Sequence, residues 1–171
     1  MKIEELISID RIARRTAELG AEIAEFYRGK HVTAMVMMNG AMFFAADLLR
    51  QIDLPIQVDA IAASSYENNT SCGSLTFRAH PKLPFAGRHV LLIDDVLDTG
   101  LTIHCVKKYL LERGAASVRS CVLLVKDRHR QNAAEAEWKG FDIPDKYVVG
   151  VGLDSAELYR NLPFVGVLDA Q

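Results

Sequence analysis

A chain of 171 residues, half of them apolar and a quarter charged, has the size and make-up of one soluble globular domain with a sizeable core. Its 20 basic and 22 acidic side chains leave a formal net charge of -2, which is no electrostatic footprint for nucleic acid. The longest uncharged stretch, Val32 to Ala46, is broken by Asn39-Gly40 and falls short of the roughly 20 residues a spanning helix needs, so no membrane partner is expected.

Met1 to Glu5 carries charges of both signs and no apolar leader. Ile12, Thr16, Leu19, Ile23 and Phe26 recur at helical spacing, with Ser8 or Asp10 to cap the helix and Gly29 to stop it. Val32 to Met38 reads as a buried strand, and helical spacing resumes from Ala41 to Ile52 through Phe44, Leu48 and Ile52. Ile56 to Ala63 is a second strand. The stretch Ser64 to Ser74 is too polar to bury much area and reads as a mobile loop. Leu75 to Arg78 is a short strand beside it.

His89 to Ile93 is a further buried strand, followed by a helix from about Thr102 to Arg113 ended by Gly114, and by a strand from Ser117 to Val125. Asp127 to Gly140 is strongly charged and expected at the surface. Tyr147 to Leu153 and Phe164 to Leu168 are short final strands. Strands alternating with helices predict a mostly parallel sheet covered on both faces, in one domain spanning 1–171. Ligands bind such sheets beyond the carboxyl ends of the strands.

The cysteines Cys72, Cys105 and Cys121 are odd in number and widely spaced, which suggests neither a disulfide framework nor a zinc site. A reducing, cytoplasmic compartment is the simplest expectation. The five histidines show no metal spacing and no nucleophile pairing.

The chemistry concentrates in HVLLIDDVLDTGLT, His89 to Thr102. A buried strand ends in Asp94 and Asp95, and Asp98, Thr99, Gly100, Leu101 and Thr102 lead into a helix. Hydroxyls and an unhindered backbone at a helix N-terminus form an anion cradle. No lysine follows the glycine, so a nucleoside-triphosphate P-loop is excluded. Two adjacent carboxylates suit the hydroxyls of a sugar or a hydrated magnesium ion. A lone acid pair before a turn is more often an ordinary strand end, but acids at a buried strand end require partners. The whole arrangement suits a ribose 5-phosphate group.

This run resembles the signature of type I phosphoribosyltransferases, in the form found in the hypoxanthine-guanine members, which usually have Glu in place of Asp94. The resemblance extends from about Met35 to Leu168. It implies an α/β fold with a small hood and a flexible catalytic lid. It implies transfer of ribose 5-phosphate from 5-phosphoribosyl 1-pyrophosphate to a 6-oxopurine, with magnesium as cofactor and a homodimer or homotetramer as the assembly.

By the same resemblance, Asp94, Asp95 and the loop Asp98 to Thr102 hold the ribose and its 5-phosphate, and Asp98 is the catalytic base or hydrogen-bond partner at purine N7. MNGAMFFAADLLRQI, Met38 to Ile52, resembles the first pyrophosphate loop, whose backbone amides often surround a non-proline cis peptide. Asn39 stands where a charged residue is common. Asn39, Gly40, Arg160 and the lid pair Ser65 and Tyr66 are implied to bind pyrophosphate. Lys126, Tyr147 and Val148 are implied to bind the purine. Asp154 is implied to join Asp94 and Asp95 at the metal, through water.

Two other readings compete. A regulator on this fold would bind the ribosyl donor as a signal and attach to nucleic acid, but only about thirty residues precede the first expected strand, too few for an added helix-turn-helix. A response-regulator receiver also has paired acids and a strand-end lysine, but in a different chain order.

Overall fold

The structure, a computed structural model, describes residues 2–64, 72, 76–128 and 135–168. In chain order it contains β1 (Ile3–Ile7), α1 (Ile9–Phe26), β2 (Val32–Met37), α2 (Met42–Arg50), β3 (Gln57–Ser64), β4 (Thr76–Ala79), β5 (His89–Leu97), α3 (Leu101–Glu112), β6 (Ser117–Asp127), β7 (Trp138–Pro144), β8 (Val148–Val149) and β9 (Val165–Leu168). A six-stranded sheet runs β4-β3-β2-β5-β6-β7, parallel except for the β3–β4 pair. A separate antiparallel sheet runs β1-β9-β8.

The central strands are continuous apolar runs because both of their faces are covered. All of β2 is buried, as are Val90 to Ile93 of β5 and Ser120 to Leu124 of β6. From the adjacent pair β2–β5 the chain steps outward in opposite directions, to β3 through α2 and to β6 through α3. Right-handed crossovers then place α2 and α3 on opposite faces of the sheet. Helix α1 lies against α2 and β7, burying Ile12, Thr16, Leu19 and Ile23 of the expected stripe, whereas Phe26 at its last turn is exposed. Ser8 is its cap, accepting a hydrogen bond from the Arg11 amide at 3.4 Å. The reversal between β2 and β5 leaves a crevice at their carboxyl ends.

The structure departs from expectation in several places. Strand β5 continues through Asp94 and Asp95 to Leu97, and β6 continues through Lys126 to Asp127. The charged stretch expected at the surface ends in strand β7, which adds an edge to the sheet. An edge strand buries one face, so Trp138, Phe141 and Ile143 never form a continuous apolar run. The N-terminal residues form β1, paired with β9 in a register that places Ile3 opposite Leu168 and Ile7 opposite Val165. The expected strand Tyr147 to Leu153 is reduced to Val148–Val149, because Gly150 and Gly152 adopt left-handed φ angles of 101° and 99° and turn the chain.

The cysteine expectation is corrected as well. Cys72 and Cys105 form a disulfide, with Cα atoms 5.2 Å apart and a sequence separation of 33, joining the β3–β4 connection to α3. Cys121 is free and buried, as its apolar run implied. Cysteine usage therefore gives no support to a reducing compartment. The expected lid residues Ser65 and Tyr66 lie outside the described residues.

Candidate active site

A cavity of about 470 Å³ opens at the carboxyl ends of β6 and β7, lined by Lys126, Arg128 and Asp142, and two further cavities share a wall beside Asp95. The larger of these two, about 340 Å³, is walled by Met38 and Gly40 after β2, by Asp94 to Gly100 and Thr102, and by Asp154 and Arg160. The smaller, about 230 Å³, is walled by Lys126 at the end of β6, by Tyr147 and Val148, and by Leu153. Asp95, Val96 and Asp154 belong to both, so they form the partition.

The floor of the larger cavity is acidic. Asp94 Oδ1 accepts from the Asp95 amide at 3.0 Å, and Asp95 Oδ1 accepts from the Val96 amide at 2.8 Å. Both side chains keep some surface on the cavity, yet the surrounding protein strips away most of their hydration. That desolvation pushes the Asp94 carboxyl well above the usual carboxylate range, and the charge of Asp95 adds to it. Asp95 is also raised by burial, against the opposing hydrogen bonds from its neighbours and the charge of Arg160. An acid pair whose ionised form is held at this cost suits cationic or hydroxyl partners.

Glycines permit the close approach of the surrounding loops. A Cβ on Gly40 would stand 1.9 Å from Asp95 Oδ2, and one on Gly152 would stand 1.8 Å from the Gly40 carbonyl oxygen. The Met38-Asn39 peptide beside Gly40 is cis. Arg160 ties the third wall, donating to the Gly152 carbonyl at 2.7 Å and pairing with Asp154 at 2.8 Å.

Above the floor, Gly100, with a φ of 78°, is the cap residue of α3 and brings no side chain to the cap position. The Thr99 hydroxyl accepts from the Leu101 amide at 3.4 Å. Asp98, on the wall of the larger cavity, reaches toward Lys126 of the smaller: its Oδ2 lies 3.5 Å from Lys126 Nζ, and its Oδ1 accepts from Arg128. In the smaller cavity the Tyr147 ring is 56% exposed and free to stack, while its hydroxyl donates to the Asp154 carbonyl at 3.0 Å and pins the ring's edge. Val148 is buried in β8.

Most residues singled out from the sequence thus converge. Asp94, Asp95, Asp98, Thr99, Gly100, Thr102, Gly40, Asp154 and Arg160 line the larger cavity, and Lys126, Tyr147 and Val148 line the smaller. Asn39 is exposed, and it is its backbone carbonyl, accepting from the Met42 amide at 3.2 Å, that takes part in the turn. Leu101 contributes backbone at the start of α3. Two residues escaped sequence reasoning: Gly152, whose role shows only when the two loops touch, and Arg128, which reaches Asp98 across 30 positions.

Among the described residues, no three His, Cys, Asp or Glu side chains cluster closely enough to hold a metal unaided. Hard carboxylate oxygens on one cavity wall still fit magnesium, which keeps several waters and takes much of its shell from substrate phosphates.

The family model described as the phosphoribosyl transferase domain matches residues 2–156. A hypoxanthine phosphoribosyltransferase from Haemophilus influenzae is 38% identical over 168 residues, covering 96% of this chain and 94% of that protein. A hypoxanthine-guanine phosphoribosyltransferase from Bacillus subtilis is 39% identical, covering 95% and 91% respectively. The crystal structure of a hypoxanthine-guanine phosphoribosyltransferase from Bacillus anthracis superposes with a TM-score of 0.93 at 34% identity, covering 98% of this chain and 100% of that one. Agreement in sequence over nearly the full length and in fold establishes that the chain belongs to the phosphoribosyltransferase family.

Proposed function

We propose that the protein is a magnesium-dependent hypoxanthine-guanine phosphoribosyltransferase of purine salvage. It transfers ribose 5-phosphate from 5-phosphoribosyl 1-pyrophosphate to N9 of hypoxanthine or guanine, giving inosine or guanosine monophosphate and pyrophosphate. The observation that carries this reading is the pair of adjoining cavities, with Asp98 on the wall of the larger and Lys126 on the wall of the smaller 3.5 Å apart. A 6-oxopurine presents O6 and N7 side by side on one edge. An ammonium and a carboxylate oxygen at this spacing match that edge: Lys126 donates to O6, and Asp98 takes or holds the proton at N7.

The remaining roles follow from the walls. The loop from Asp98 to Thr102, at the start of α3, receives the 5-phosphate, and Asp94 and Asp95 hold the ribose hydroxyls. Gly40 and Arg160 face the leaving pyrophosphate, with Asn39 contributing backbone. Tyr147 stacks on the base, and the Val148 backbone meets the base edge. Asp94, Asp95 and Asp154 are the side chains that would hold magnesium, which when bound neutralises the pyrophosphate as a Lewis acid. Ser65 and Tyr66, as parts of a lid that keeps water from the cation-like ribosyl centre, rest on the sequence resemblance alone.

We assign the whole of 1–171 to this one domain, with the β1-β9-β8 sheet as its hood, and place it in the cytoplasm. The exposed apolar side chains Met42 and Phe43 on α2 and Val58 on β3 support assembly into a homodimer or homotetramer. The regulator alternative finds no support, since the relatives described above are named as enzymes.

The test is to mix purified protein, the donor and magnesium with hypoxanthine, guanine, xanthine or adenine in turn and to follow nucleotide formation. The expected result is magnesium-dependent product from hypoxanthine and guanine, and little from adenine, which presents a donor where Lys126 also donates. Absence of product from every base, with the donor still bound, would overturn the proposal in favour of the regulator.

A further inference from the structure

Lys126 and Asp98 are held by two further charges. Lys126 Nζ, on a side chain only 14% exposed, also lies 3.7 Å from Asp145 Oδ1. Arg128 reaches both acids: its Nη1 donates to Asp98 Oδ1, and its Nε lies 3.8 Å from Asp145 Oδ2. Asp98 follows β5, Lys126 and Arg128 lie at and just past the end of β6, and Asp145 follows β7. Three separate segments thus close a ring of two acids and two bases. Each carboxylate gives one oxygen to Lys126 and the other to Arg128.

The ring answers a difficulty in the proposed reaction. An ammonium and a carboxylate that both serve the base stand close enough to neutralise each other. A Lys126 free to settle fully on Asp98 would be lost to O6, and Asp98 would be lost to N7. Asp145 gives the ammonium a second carboxylate, 3.7 Å away, while Arg128 takes Asp98 Oδ1 and Oδ2 lies toward Lys126. When a base enters between Asp98 and Lys126, Arg128 and Asp145 still have each other, so neither is left as an unpaired charge.

We propose that Arg128 and Asp145 are positioning residues for the transfer: Arg128 fixes the carboxylate of Asp98, and Asp145 holds the ammonium of Lys126 at the purine edge. The inference rests on the roles assigned above to Asp98 and Lys126. It also requires arginine in particular, because one lysine ammonium cannot address two carboxylates with the two arms of a planar fork.

Steady-state kinetics on the full chain test it, with donor and hypoxanthine varied separately. Arg128→Ala lowers kcat about tenfold while the donor KM stays within about twofold, and Arg128→Lys recovers only part of that loss. Asp145→Ala and the nearly isosteric Asp145→Asn raise the KM for hypoxanthine about tenfold, again with the donor KM unchanged. The double variant Arg128→Ala/Asp145→Ala loses less than the product of the single losses, because the two act in one ring. A merely structural role would raise both KM values together and lower Tm in proportion, and that result overturns the inference. So do single variants within about twofold of wild type in every parameter. A wild-type protein that transfers to no base marks failure of the functional reading instead.

Discussion

Asp98 offers its two carboxylate oxygens to different cations, Oδ1 to Arg128 and Oδ2 to Lys126. Removing its capacity to accept a proton while keeping its shape isolates its chemistry. Asp98→Asn is expected to lower kcat by about two to four orders of magnitude, the usual worth of a positioned proton acceptor. The Asp94–Asp95 floor and the α3 N-terminus are untouched, so donor affinity should persist. Titrating donor binding by calorimetry alongside turnover separates the two, and an unchanged kcat removes Asp98 from the reaction. Asp98 was legible in the sequence because it sits inside a contiguous motif. Arg128 was not, because Asp98 and Asp145 follow the two strands that flank its own, and their meeting is a property of sheet order rather than of spacing.

At the scale of elements, the buried strands and amphipathic helices were legible and the edges were not. A strand covered on both faces writes itself as an apolar run, as β2 does, whereas β1 and β7 bury one side and mix glutamates and lysine with their apolar residues. What secures β7 is partly polar. Glu137, just before it, accepts from the Ser120 amide and hydroxyl of β6 and pairs with Lys107 of α3 at 2.9 Å. Partial burial alone would raise its carboxyl, but the Ser120 hydrogen bond and Lys107 outweigh that, and the net shift is downward. A folded-state value below the unfolded one means that the ionised form favours folding above the ordinary carboxylate range, and that this contribution is lost as pH falls through the folded value. Glu137→Gln should therefore cost about 1 kcal/mol near neutral pH, with the gap to wild type closing on acidification below about pH 4. Urea unfolding of both proteins across that range measures it. A gap that is constant with pH would show that charge is not what Glu137 contributes. The Cys72–Cys105 pair escaped the sequence for a related reason: 33 residues of separation and an odd count carry no pairing signal, and only the packing of α3 brings the two together.

At the scale of the whole molecule, both sheets build the candidate site. The six-stranded sheet supplies Gly40 and the acid pair from the carboxyl ends of β2 and β5, and the chain leaving β8 of the small sheet supplies Gly152, Asp154 and Tyr147's partner carbonyl. The contact is close, with Gly152 on the Gly40 carbonyl and Gly40 against the carboxylate of Asp95. A side chain at position 40 therefore has nowhere to go without moving Asp95. Displacing that carboxylate is a small perturbation to the core but a direct one to the site, since Asp95 belongs to the wall shared by both cavities. Gly40→Ala should thus separate stability from function. Overpacking of this kind costs about 1–3 kcal/mol, which thermal unfolding will register as a modest fall in Tm. The donor kcat/KM should fall by more than about thirtyfold, because Asp95 must leave the position from which it holds the ribose. A variant that keeps wild-type donor kinetics while losing stability would mean that the loops relax apart without disturbing Asp95, and the junction of the two sheets would then be structural only.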